Sequence, residues 1–392
     1  MTRFTEEKPT MAASPGPRTL ADQFDLYNGR TTGFDYLRIT LAIGVLAWHS
    51  FGVTYGREAL DAFFRDVALA PAVRMILPMF FALSGFLVTA SLYRSDSLKV
   101  YLIFRGLRLF PALTVEVALA AVILGPIVTS LTLGEYFTAG GFYSYFLNIL
   151  GLVHYELPGV FHGIPYPRVV NGSLWTVPYE LECYFYLALF FVLGVFRNRW
   201  FVLLVFIGLT IMSVALGASS AKGVVIVLKN MLIATPEGLE PNLQQAVDDR
   251  IQLARILVVS FFAGASLYAW RDKVPLNAPL AAICAVISFL CLGSSSLYFY
   301  APMFATYLTV WLGLQNPTLW GVLKTGDYSY GIYLYAFPIQ QALMLTGWFD
   351  QQYLFHLVVT LAVVSLFAAF SWHVIEKPSL KAKSYFLPSK VS

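Results

Sequence analysis

The chain is 392 residues long; 58% of them are hydrophobic, 16% aromatic and only 12% charged. Average soluble domains carry about 25% charge, so 22 acids and 26 bases cannot keep a chain this apolar in water, and a soluble globule is excluded. A formal net charge of +4 is too mild for a nucleic-acid binder; three cysteines (Cys183, Cys284, Cys291), none in a Cys-x-x-Cys pair, exclude a disulfide scaffold and a thiolate zinc site.

Residues 1–33 are polar and rich in Pro, Gly and Thr, which predicts a disordered tail. Beyond it the apolar windows follow one another. A bilayer core of ~30 Å takes about 20 apolar residues per helix, and such windows fall at 36–56, 71–93, 107–130, 177–196, 200–217, 251–270, 277–292, 297–314, 328–347 and 353–375. The expected fold is an all-α bundle of about ten transmembrane helices over residues 34–380, closed by a short tail, 381–392. The first window has no A-x-A cleavage pattern at its end and reads as a retained helix rather than a signal peptide. Two shorter stretches, 142–153 and 223–234, the latter interrupted by Lys229 and Asn230, read as re-entrant or interfacial. No internal repeat and no inverted pair of broken helices points to a transporter.

Charge orients the bundle. With the N-terminus in the cytoplasm, 18 of the 26 bases fall on that side, among them Arg94, Arg105, Arg108, Arg199, Arg271, Lys324 and Lys377. The split obeys the positive-inside rule, and both termini are expected to be cytoplasmic.

Ionisable groups inside a span cost at least ~2.5–3.5 kcal/mol each and need a reason. Asp35 and Arg38 stand at the mouth of the first helix and His49 lies deep within it. Eleven residues separate Arg38 from His49, about 20° beyond three full turns and a rise of ~16–17 Å, so both lie on one face. The histidine is either satisfied by a neighbouring hydroxyl or a functional base. Ser84-Gly85 in the second window permits close helix approach; the Ser84 hydroxyl can also act on a ligand. In the following loop Arg105 and Arg108 share a face. Two forked guanidinium groups suit phosphate oxygens and equally suit anionic lipid.

Before the fourth window the sequence reads Asn171-Gly172-Ser173-Leu174-Trp175-Thr176-Val177-Pro178-Tyr179-Glu180-Leu181-Glu182. Trp175 and Tyr179 fit an aromatic belt. Glu182 reads as a helix-start acid; Glu180 is either the same or an acid–base or substrate-orienting group. Asn171-Gly172-Ser173 matches a glycosylation sequon, which by itself carries no weight. His154 and His162 match no metal template, and no metal is expected. His356 and His373 read as packing or loop residues. Glu376, at the end of the last helix, is a candidate partner for one of the cytoplasmic-side arginines.

These pieces together resemble the membrane acyltransferase-3 family. Asp35-x-x-Arg38, ten residues and then His49 is similar to its first-helix signature. Phe80-Phe81-x-Leu83-Ser84-Gly85-Phe86 resembles the second-helix motif, and Arg105-x-x-Arg108 with Pro111 the third. Ser173-Leu174-Trp175 with Glu180 resembles the W-S-L-x-x-E element; the run Asp327-Tyr328-Ser329-Tyr330-Gly331-Ile332-Tyr333-Leu334 and Glu376-x-Pro378 resemble the closing motifs. Two departures stand out. Ala336 replaces the histidine of Y-L-x-H-x-P, and the C-terminal esterase-like domain that some relatives carry is expected to be missing.

The resemblance implies an O-acyltransferase of a bacterial inner membrane. It moves an acyl group, usually acetyl from acetyl-coenzyme A, to a hydroxyl of an extracytoplasmic or lipid-linked glycan. On this reading acetyl-coenzyme A is a co-substrate and no cofactor is bound permanently. Arg38, Arg105 and Arg108 would hold its phosphates and His49 would be the base or a transient acyl carrier. Glu180 would orient His49 or the sugar hydroxyl, and Trp175 would stack on a sugar or shape the mouth. Asp35, Ser84, Tyr330 and Glu376 would support the site. The loops 131–175 and 218–250 would select the acceptor. A larger acyl group such as succinyl, a flippase or transporter of a lipid-linked sugar, and a non-enzymatic scaffold are the competing readings. The sequence carries no signal for an oligomeric state.

Overall fold

In a computed structural model of the protein, the described residues are 18–95, 97–194, 196, 198–216 and 241–382. No β-strand occurs among them. Inside hydrocarbon every backbone N–H and C=O needs a partner within the protein, and for an apolar run the helix supplies them. Ten helices of 13 residues or more result: α1 (Thr32–Tyr55), α2 (Ala70–Ser95), α3 (Leu98–Leu119), α4 (Val177–Val192), α5 (Arg199–Leu216), α6 (Pro241–Ala269), α7 (Ala278–Leu292), α8 (Ala301–Gly313), α9 (Ser329–Met344) and α10 (Tyr353–Phe370). One falls in each apolar window. Among the described residues, five helical segments are long and apolar enough to cross a membrane: Gly33–Tyr55, Ala70–Ser95, Leu98–Val128, Ile251–Ala269 and Tyr353–Lys381.

Local chemistry sets the boundaries. Ser97 accepts a hydrogen bond from Val100 N and starts α3 well before the apolar window, so Arg105 and Arg108 lie on this helix and not in a loop. Continuing through a π turn, Ala120–Leu124, to Val128, the 31-residue segment is about 46 Å long. Its basic start and its far end therefore stand at opposite ends of the bundle. Proline in the first turn opens α4, α7 and α8, where its missing N–H costs no hydrogen bond.

Within the expected tail, Leu20–Leu26 is helical, opened by a capping box between Thr19 and Asp22. Leu20 and Phe24 are buried, and backbone bonds from Leu20 N to Val274 O and from Leu276 N to Arg18 O tie the segment to the α6–α7 loop. The apolar spacing within this short segment gives it a buried face. Residues 1–17, the stretch 223–234 and the end of the tail 381–392 lie outside the described residues. The stretch 142–153 is not one helix: a short helix, Gly140–Tyr145, passes into a 3₁₀ turn, Phe146–Leu150. The Asn148 amide closes it by bonding Tyr145 O and His154 O.

The tightest crossing joins α2 to α6. A Cβ at Gly85 would lie 1.9 Å from Phe261 O, and one at Gly264 2.2 Å from Ala82 O; the backbones touch because both residues lack it. α9 packs against both α1 and α10, which also touch each other. This brings α1, α2, α3, α4 and α9 around one interior space.

Candidate active site

That space is a cavity of about 380 Å³. Its walls carry Arg38 from α1, Ser84 from α2, Arg105 and Arg108 from α3, Glu180 and Tyr184 from α4, and Tyr330 and Tyr333 from α9. Asp327 and Ser329, at the start of α9, complete the charged end. Six of the candidate residues, Arg38, Ser84, Arg105, Arg108, Glu180 and Tyr330, thus meet in one place. Asp35, His49, Trp175 and Glu376 do not line it.

The charged end is an ion-pair network. Arg108 gives one Nη to Asp327 at 2.7 Å and the other to Glu376 at 3.2 Å. Arg38 reaches Asp35 at 3.3 Å and Asp327 at 3.6 Å. Glu376 is 2% exposed and its other oxygen accepts from Ser371 Oγ at 2.9 Å. Burial pushes the Asp327 carboxyl up, but Arg108 and Arg38, with the Ser329 hydroxyl and N–H, pull it down to about 2. Asp35 and Glu376 therefore belong to the site through the two arginines. The sequence named Asp327 only within a motif, yet it bridges both guanidinium groups.

Arg105 differs. It forms no ion pair among the described residues and lies 5.9 Å above the Tyr184 ring, and its buried Nε has no hydrogen-bond partner. Tyr184 donates to Glu180 Oε1 in a short hydrogen bond, and Ser84 lines the same cavity wall. A cation with spare donors thus faces a carboxyl, a phenol and a hydroxyl across the cavity.

His49 stands behind this wall. Its Nδ1 lies 3.4 Å from Ser173 Oγ, and the Phe337 ring edge is against it, with ring centroids 5.1 Å apart. Ser173 belongs to the 3₁₀ turn Gly172–Thr176, which runs directly into α4. Tyr333 holds that turn: its hydroxyl donates to Ser173 O at 2.9 Å and pairs with Thr176 Oγ at 2.6 Å. Because Tyr333 and Thr176 both line the cavity, the imidazole connects to it through this turn. Trp175, in the same turn, packs into the apolar cluster between α2, α4 and α6, 6.0 Å from the Tyr179 ring.

Two buried polar residues were not anticipated. Asn171 caps the 3₁₀ turn by accepting from Ser173 N at 2.9 Å, and its Nδ2 donates to Glu116 Oε1 at 2.8 Å and Leu334 O at 3.0 Å. The available signal was a single acid within the apolar run from Leu109 to Leu124, which lipid should not tolerate without cause.

Apolar helices enclosing a cavity with a charged end define an integral membrane protein. The acyltransferase domain of the acyltransferase-3 family matches residues 31–373, and the chain belongs to that family. It is a membrane acyltransferase, which sets aside the transporter and scaffold readings. Nodulation protein 10 of Rhizobium leguminosarum bv. viciae is 28% identical, the alignment covering 93% of this chain and 97% of the relative. An O-acetyl transferase of Shigella phage Sf6 is 25% identical over 90% of this chain and 96% of its own. No solved structure matches the chain.

Proposed function

We propose that the protein acetylates a hydroxyl of an extracytoplasmic or lipid-linked glycan, with acetyl-coenzyme A as the donor entering from the cytoplasm. The observation that carries this reading is the cavity itself, with cations at one end and hydroxyl and carboxyl groups along its wall. Arg105, with uncommitted donors, is the first contact for the donor's phosphates, and Arg38 the second. Arg108 is committed to Asp327 and Glu376 and holds the helices together. The rise of ~16–17 Å from Arg38 to His49 is comparable to the extended thioester arm.

In the transfer, the acceptor oxygen bonds to the thioester carbonyl carbon and the C–S bond breaks. The proton lost by the hydroxyl ends on the sulfur of coenzyme A. His49 carries that proton, as the side chain suited to such transfer near neutral pH. Ser173 and Tyr333 set its approach to the cavity, and Glu180 orients the acceptor. The proposed arrangement has about ten spans and both termini in the cytoplasm of a bacterial inner membrane. The family match and the O-acetyl transferase relative support the chemistry; the asymmetric charge supports the orientation.

The test is transfer of radiolabelled acetyl from acetyl-coenzyme A in membranes carrying the protein. His49→Ala should lower turnover by about 100-fold or more with membrane levels unchanged; wild-type turnover removes His49 from the reaction. Mass spectrometry of surface glycans with and without the gene identifies the acceptor.

A further inference from the structure

Glu116 is a carboxyl in the wrong solvent. It is 1% exposed, in the interior of α3, and forms no ion pair among the described residues. Its Oε2 has no hydrogen-bond partner among the described residues. An apolar side chain of similar size would fill the position without the cost of burying a polar group. The carboxyl therefore serves what its other oxygen touches, which is Asn171.

Asn171 is fully buried, and its amide has two ends that a rotation of the side chain would exchange. Two acceptors, Glu116 Oε1 and Leu334 O, both face Nδ2. With both on the same side, Oδ1 is left pointing at Ser173 N, which it receives at 2.9 Å. That bond fixes the first residues of the turn that holds Ser173 Oγ 3.4 Å from His49 Nδ1. Leu334 O alone would satisfy only one of the two Nδ2 hydrogens. With Glu116 both are used, and the amide has a single orientation that leaves no donor without an acceptor.

We propose that Glu116 is a positioning residue for His49, acting through Asn171 and Ser173. This rests on the reading of His49 as the group that moves the proton. Glu116 touches neither substrate in this scheme; it holds the turn so that the imidazole keeps one orientation towards the cavity. Misplacing a reacting group by about 1 Å costs up to about 100-fold in rate, which sets the scale of the effect.

The experiment measures acetyl transfer against donor concentration for variants at Glu116, Ser173 and His49 in membranes. Glu116→Gln keeps an acceptor oxygen for Asn171 and should retain turnover within about twofold. Glu116→Leu removes it, and Glu116→Asp withdraws it by one methylene. Both should lower kcat by about 10- to 100-fold with KM for acetyl-coenzyme A unchanged, since the donor's phosphate contacts are at the other end of the cavity. In a Ser173→Ala background, Glu116→Asp should cost nothing further, because the relay is already cut. Wild-type kcat for Glu116→Asp overturns the proposal, as does an equal loss for Glu116→Gln or full additivity with Ser173→Ala. Should Glu116→Leu fail to accumulate, the Asp and Gln pair decides alone. His49→Ala run alongside separates the two claims: if it is active, the base assignment fails; if it is inactive while Glu116→Asp is active, only the relay fails.

Discussion

Arg108 gives both arms of its fork to carboxylates, whereas Arg105, one helical turn earlier, forms no ion pair among the described residues. The two should therefore respond differently to the same substitution. Arg105→Ala breaks no ion pair among the described residues, so the protein should fold normally and lose donor affinity, read as a severalfold rise in KM for acetyl-coenzyme A with kcat little changed. Arg108→Ala strands Glu376, 2% exposed, and removes a partner of Asp327. Leaving buried charge uncompensated costs about 3–5 kcal/mol, and the solubilised protein should melt well below the wild type. In the wild type Asp327, held down to about 2 by Arg108 and Arg38, stays ionised at any ordinary assay pH and so keeps Arg108 engaged. Equal KM effects and equal melting points would undo this division of labour. The sequence placed both arginines on one face by their i,i+3 spacing. Which of them is free depends on acids 219 and 268 positions further along the chain, and helical spacing carries no information about such partners. Asn171 was hidden for a related reason: its tripeptide matches a common surface motif, and only the packing of α3 and α9 around it makes it a buried cap.

At the scale of helices, the windows of hydropathy located all ten elements but not their ends. Hydropathy averages over a turn or more, while a boundary is set by single groups such as Ser97 at the start of α3 or the Thr19–Asp22 box before Leu20. The Ser84-Gly85 pair predicts a site of close approach, and α2 does meet α6 there, backbone against side-chain-free backbone. Gly85 is next to Ser84, which lines the cavity, so the crossing also sets the cavity's width. Gly85→Ala puts a methyl carbon 1.9 Å from Phe261 O, and α2 must move away from α6. Overpacking of this kind costs about 1–3 kcal/mol, and the shift carries Ser84 with it. The expected result is a lowered melting temperature together with reduced turnover. A variant that melts and turns over like the wild type would mean the two helices part without disturbing the chamber.

For the molecule as a whole, the cations and the acids that bind them collect at one end of the bundle, and the imidazole lies about three helical turns further in. Such an axis serves transfer across a membrane only if its charged end faces the compartment that holds the donor. The direction of the chain through the bilayer can be tested on the protein itself, because its three cysteines, Cys183, Cys284 and Cys291, are all buried and give little background to a thiol reagent. Thr318 is exposed in the loop that leads to Asp327, and Gly134 is exposed beyond the far end of α3, with open space around it. The α3 segment of about 46 Å separates the two regions. A membrane-impermeant maleimide added to intact spheroplasts should label Gly134→Cys and spare Thr318→Cys. In inverted membrane vesicles the pattern should reverse. If Thr318→Cys is labelled from outside, the arginines face away from the cytoplasmic donor, and the proposed route for the acetyl group cannot operate.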